Sequence, residues 1–177
     1  MKQVYLLTGR PGTGKTSIIK QVVDVMEGKA GGFFTEEIRS QGVREGFRLV
    51  TLDGHSAILA HINIHSPYRV SKYGVDIDSL DRVGVSALNR AAEECDLVVV
   101  DEIGKMELFS DKFKESVLKA FDSERIVLGV IHRANTPFLR EIKNRRDVII
   151  FEVTRENQDR LFEEIRNRMK EHRDTGE

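Results

Sequence analysis

The apolar run Val4-Tyr5-Leu6-Leu7 leads through Thr8 into a loop, Gly9-Arg10-Pro11-Gly12-Thr13-Gly14-Lys15-Thr16. The loop opens onto a stretch whose apolar residues, Ile18, Ile19, Val22, Val23 and Met26, recur at helical spacing. A strand, a glycine-rich turn and a helix in that order constrain the fold more than any other feature of the chain. Glycines let backbone N–H groups converge on an anion, and the first turn of the following helix adds its positive end. The spacing G-x-x-x-x-G-K-T is that of a phosphate loop. It predicts that the loop backbone cradles the phosphates of a nucleotide, that Lys15 reaches the β- and γ-phosphates and that the Thr16 hydroxyl ligates Mg²⁺.

Such a loop belongs at the carboxyl edge of a parallel sheet. The runs at 96–103, 125–131 and 147–153 are rich in Val and Ile and read as parallel strands buried on both faces. Helical stripes separate them: Leu80, Val83, Leu88, Ala91 and Cys95; then Phe113, Val117, Ala120 and Phe121; and last Leu161, Phe162, Ile165 and Met169. Thr136 followed by Pro137 predicts a helix start. The segment from Gly31 to His65 breaks this rhythm and predicts three short strands, turning at "SQG" to "REG" and at "DGH". The expected fold is α/β, a mostly parallel sheet behind a phosphate loop, flanked by helices and carrying a β-hairpin insertion. Residues 1–177 are expected to form one domain.

A triphosphate site needs a second group at the carboxyl edge to hold the metal. "LVVVDEIG" supplies Asp101 after four apolar residues, and Glu102 follows it, where a carboxylate can polarise an attacking water. The catalytic candidates are therefore Lys15 and Glu102, and the Mg²⁺ ligands Thr16 and Asp101.

Together the stretches "GRPGTGKT", "GGFFTEEIR", "GFRLVTL", "YGVD", "VVVDEIGKMELFS" and "IKNRRDVIIFEVTRENQDRL" closely resemble the small P-loop nucleoside-triphosphatase family, with thermophilic archaeal and bacterial members and a human one. The likeness runs from the first strand to the last helix, and "DEIGKMEL" and "GFFTEE" discriminate better than the phosphate loop. The resemblance implies a RecA-like or kinase-like core that hydrolyses ATP, GTP and other nucleoside triphosphates with Mg²⁺ and little base selectivity. It places nucleotide contacts on Gly9 to Thr16 and on Asp101, Glu102, Ile103, Gly104 and Lys105. Arg10 and Pro11 fill variable loop positions, and nothing functional transfers to 63–71.

Other features support more than one reading. Lys105 is either a positive finger on the phosphates or the partner of a carboxylate such as Glu107. Thr35, Glu36, Glu37 and Arg39 face either the site rim or solvent, while His132 and Arg133 follow a buried strand at a ligand-facing position. Thr154 to Gln158 either contacts the base or caps a helix. His61 and His65, on a strand, stand about 13 Å apart and cannot share an ion. A kinase with Arg39, Arg44 and Arg48 in a lid, and a nucleotide-gated module touching RNA through "KNRRD", are the competing functions. Lys and Arg number 28 against 29 for Asp and Glu, so there is no overall basic field and no nucleic-acid partner is expected. The high charge is compatible with a thermophilic origin. The single cysteine, Cys95, and the short N-terminal apolar run predict a cytoplasmic protein with no membrane contact; the oligomeric state stays open, a monomer being one option.

Overall fold

The computed structural model describes residues 2–176. Its nine strands, β1 (Val4–Thr8), β2 (Ala30–Ser40), β3 (Val43–Thr51), β4 (Ser56–His61), β5 (Arg69–Val70), β6 (Tyr73–Val75), β7 (Leu97–Ile103), β8 (Ile126–Ile131) and β9 (Val148–Glu152), form one sheet in the order β5-β6-β4-β3-β2-β7-β8-β1-β9. Pairing is parallel from β2 through β7, β8 and β1 to β9, and antiparallel from β2 outward through β3, β4, β6 and β5.

Helices cover both faces because the core strands bury every side chain, as in the wholly buried β8. On one face Ile18, Ile19 and Val22 of α1 (Lys15–Val25) and Leu161, Ile165 and Met169 of α6 (Gln158–Asp174) pack on Tyr5, Leu7, Val99 and Leu128. On the other, the short α2 (Ile77–Ser79) leads into a π-helical turn, Leu80–Val85, then α3 (Ser86–Glu94), α4 (Asp111–Asp122) and α5 (Pro137–Lys143). Leu80, Leu88, Phe113, Val117 and Leu139 there meet Phe33, Leu49, Val98 and Val100.

The three strands expected between Gly31 and His65 are β2, β3 and β4, paired antiparallel, and the first of them is also a strand of the parallel core. Residues Ala30 to Phe33 of β2 pair in parallel with Leu97 to Val100, and the strand then runs on past the end of β7 before turning at Gln41–Gly42 into β3. Both turn residues have positive φ, 50° and 79°, which suits the twist of a two-residue hairpin. Burial in β2 falls from complete at Phe33 to largely exposed beyond Thr35, so the sequence pattern marks the strand without marking its parallel pairing with β7. β5 and β6, of two and three residues, are too short for any periodic signal. The Leu80–Leu88 stripe is π-helical in its first half, where Gly84 lies against Leu80, Leu49 and Phe33.

Where β2 enters the sheet, Gly32 has φ +107°, and a Cβ there would stand 2.0 Å from the Val99 carbonyl oxygen of β7. Backbone cannot yield as a flexible side chain can. Gly32→Ala is expected to cost about 3 kcal/mol in a urea titration; a loss below about 1 kcal/mol would contradict this approach of β2 to β7.

Candidate phosphate and metal site

The chain leaves the buried β1 and turns at Gly12 and Gly14, φ +78° and +93°, with Gly14 as the N-cap of α1. Thr13 is buried, and its hydroxyl closes the turn on the Arg10 carbonyl at 2.9 Å. Lys15 lies folded over the loop: Nζ donates to the carbonyls of Gly9 at 2.6 Å and Arg10 at 3.1 Å. Burial lowers the Lys15 pKa, opposed by the carboxylates of Glu102 and Asp101. The ammonium thus sits between the loop and the acidic strand, satisfied by carbonyls that a phosphate oxygen can replace.

The end of β7 lies opposite. The Thr16 hydroxyl donates to Asp101 Oδ2 at 2.6 Å, joining α1 to β7 across the sheet edge. Asp101 is only 4% exposed. Burial pushes its carboxyl up to about 6, against the downward pull of the Thr16 hydroxyl, Lys15 and Lys20. Glu102 is the extra residue of a bulge, since Asp101 pairs with Val130 and Ile103 with Ile131. Such a bulge re-aims one side chain without disturbing the rest of the ladder. Burial raises the Glu102 carboxyl to about 7, Asp101 adds to the rise and Lys15 opposes it.

The donor set fits a small hard cation. Thr16 Oγ1 and Asp101 Oδ2 are both oxygen, and no group of three or more His, Cys, Asp or Glu able to hold a metal occurs among the described residues. A site with two protein oxygens suits Mg²⁺, which keeps several waters and takes phosphate oxygens as its other ligands.

A raised carboxyl also means that the ligand-free fold binds a proton that the unfolded chain has released. Stability contributed by Asp101 is therefore present below about pH 4 and lost as pH rises toward 6. Asp101→Asn, which keeps the acceptor for Thr16, is expected to stabilise the ligand-free protein at pH 7.5 by up to about 3 kcal/mol and to lose that advantage at pH 4. Equal stability of the two proteins at pH 7.5 would contradict the burial assigned to Asp101.

Several contacts at the site have weak sequence signals. Thr35 of β2 donates its hydroxyl to the Asp101 carbonyl at 2.7 Å, fixing the end of β7 from the other side. Gln158 of α6 donates to the Thr13 carbonyl and covers Gly14. Glu107, in the turn Glu107–Phe109, is 3% exposed; burial, then Glu102, raises its carboxyl well above the usual range, opposed by the N–H groups of Glu107 and Gly104. Glu107 is buried and is not the partner of Lys105, which is exposed and forms no ion pair with a described residue. Gly104 lies against the Glu102 carboxyl: a Cβ on it would meet Oε1 at 2.5 Å.

The features behind the competing readings are largely committed elsewhere. Arg39 and Arg44 both bind Glu37, and Arg44 also stacks between Phe47 and Tyr73. Arg145 of "KNRRD" holds Asp122 and Asp147 and stacks on Phe121, at the edge of the sheet opposite the phosphate loop. A cavity of about 870 Å³ between Val22, Met26, Arg125 and Met169 opens at that same far edge. Asn157, at the start of α6, accepts from the Thr154 N–H and donates to the Glu152 carbonyl, each at 2.8 Å. Thr136 occupies the N-cap of α5 without a side-chain cap bond. Arg133 lies 3.9 Å from Glu152 at the surface.

A family model described as NTPase matches residues 4–166. The nucleoside-triphosphatase THEP1 of Thermotoga sp. strain RQ2 is 50% identical over 168 residues, covering 95% of this chain and 96% of that protein. The crystal structure of THEP1 from Aquifex aeolicus superposes with a TM-score of 0.83 at 35% identity, over 93% of this chain and 96% of the other. The solution structure of a human cancer-related nucleoside triphosphatase gives 0.78 at 37% identity, over 93% and 95%.

Proposed function

The chain belongs to the NTPase family, and on that premise we propose that it hydrolyses ATP, GTP and other nucleoside 5'-triphosphates to the diphosphate and phosphate, with Mg²⁺ and little choice of base. It is an enzyme of the nucleoside-triphosphatase class. The observation that supports this reading of its site is the 2.6 Å hydrogen bond from Thr16 to Asp101, which joins the glycine-rich loop to the end of β7 beside Glu102.

In this reading the N–H groups of Gly9 to Thr16 and the N-terminus of α1 receive the β- and γ-phosphates. Lys15 exchanges its bonds to the Gly9 and Arg10 carbonyls for phosphate oxygens. Thr16 and Asp101 hold the metal, and Ile103, Gly104 and Lys105 continue the contact surface. Mg²⁺, when bound, supplies positive charge to the β- and γ-oxygens. Glu102 takes a proton from the attacking water, and its raised pKa, about 7, is suited to a base at neutral pH. The catalytic pair is thus Glu102 and Lys15. Water is the favoured acceptor because two of the three arginines that a kinase lid would use, Arg39 and Arg44, pair with Glu37 instead.

Breadth toward the base is supported by Asn157, whose amide is spent on the backbone of its own loop. A site that reads a base through buried polar groups discriminates by orders of magnitude. kcat/KM for ATP, GTP, CTP and UTP is therefore expected to agree within about tenfold, and EDTA to abolish phosphate release. Preference for one base above about 10³-fold, or turnover that survives EDTA, would contradict the reading. A single domain in the cytoplasm completes it, supported by the one cysteine, Cys95, which is buried and unpaired.

A further inference from the structure

β8 lies between β7, which carries Asp101 and Glu102, and β1, which leads into the phosphate loop. Whatever follows β8 therefore emerges between the acid pair and the phosphates. The residue there is His132, and three observations define it.

First, its backbone N–H donates to the Ile103 carbonyl at 3.0 Å, so the β7–β8 ladder continues one residue beyond the strand and ties His132 to the end that bears Glu102. Second, β8 alternates: Val127 and Ile131 belong to the core under α3 and α4, Leu128 and Val130 to the core under α1 and α6. Continuing the alternation puts His132 on the α1 face, the face on which Asp101 meets Thr16. Third, Nδ1 accepts the Ala134 N–H at 3.0 Å. In the neutral ring the hydrogen is then on Nε2, leaving one oriented donor. Burial, followed by Lys105, Lys143 and Lys15, lowers the pKa of the ring and keeps it neutral.

We infer that His132 is a further catalytic group of this site, donating its Nε2–H to the γ-phosphoryl oxygens as charge redistributes during attack by water. The inference rests on the proposed function of the Lys15, Asp101 and Glu102 site. A neutral donor held by two backbone hydrogen bonds needs little reorganisation when the transition state forms. Its contribution is therefore to the transition state, not to ground-state binding. The neighbouring Arg133 is a poorer candidate, since its guanidinium lies over Glu152 at the surface.

The test compares parent, His132→Ala, His132→Gln and Glu102→Gln in single-turnover phosphate release. It adds equilibrium binding of two Mg²⁺ complexes: a non-hydrolysable triphosphate analogue, and the diphosphate with aluminium fluoride as a transition-state mimic. His132→Ala is expected to slow release about 10²-fold, to weaken the aluminium fluoride complex by a similar factor and to leave the triphosphate analogue within about threefold. His132→Gln, whose amide can donate near the Nε2 position, should recover part of the loss, which a fold defect would not allow. A His132→Ala protein within threefold of the parent, beside a Glu102→Gln protein that has collapsed, would overturn this inference and leave the proposed function standing. Equal weakening of both complexes would also overturn it, because His132 would then only bind. A parent that releases no phosphate would remove both readings together.

Discussion

Glu102→Gln is expected to lower single-turnover phosphate release by about 10²- to 10⁴-fold, the range that general acid–base help supplies. Glutamine keeps the size of the side chain and a carbonyl oxygen against Gly104, so the bulged end of β7 has no reason to rearrange. It cannot take a proton from water. Binding should survive, because Thr16, Asp101 and the loop are untouched. It should also tighten, since one carboxylate that burial and Asp101 already hold near the edge of ionisation is removed from beside the incoming phosphates. The mutant should therefore accumulate the Mg²⁺-triphosphate complex. Release within a few-fold of the parent, with unchanged binding, would remove Glu102 from the role of base and transfer it to a water held by other groups.

Lys15→Ala is the second large effect. In the ligand-free protein the ammonium satisfies the carbonyls of Gly9 and Arg10 in a half-exposed loop, where water can take its place. The thermal midpoint should accordingly move by only a few degrees, the response to about 1 kcal/mol. In the proposed reading the same side chain is the charge aimed at the β- and γ-oxygens of a bound triphosphate, and losing one such donor costs about 10²- to 10³-fold in turnover. Affinity for a non-hydrolysable analogue should fall as well. Normal turnover with a native circular dichroism spectrum would contradict the assignment of the phosphate loop.

The parts of the site that could be read from sequence are those whose physics is local. Gly12 and Gly14 mark backbone that must reach positive φ, and Lys15 and Thr16 follow at the spacing a helix N-terminus imposes. Asp101 and Glu102 stand at the end of an uninterrupted apolar run, which is how a buried strand delivers a carboxylate to its edge. The parallel core and its helices were legible for the same reason, because two-sided burial and helical spacing each leave a period.

Contacts that depend on distant packing left none. Gln158 reaches the Thr13 carbonyl across 145 residues of sequence. Glu107 looks, in "KMELFS", like one more solvated acid, and only the closing of α4 and the end of β7 around it makes it a buried one. Thr35 was noted for its strand-like alternation, yet alternation alone does not separate a solvated face from a hydroxyl pinned to Asp101. The strand expected from Gly31 was legible, but the parallel pairing of Ala30 to Phe33 with β7 was not, because pairing between strands far apart in sequence leaves no local period.

The most direct measurement of the central claim is hydrolysis of a nucleoside triphosphate with Mg²⁺ in ¹⁸O-enriched water, without an added acceptor, the products being weighed by mass spectrometry. Direct attack of water on the γ-phosphorus predicts steady release of phosphate carrying ¹⁸O from solvent in every molecule, beside a diphosphate that carries none. No release until an acceptor is supplied, or solvent oxygen found in the diphosphate, would contradict it.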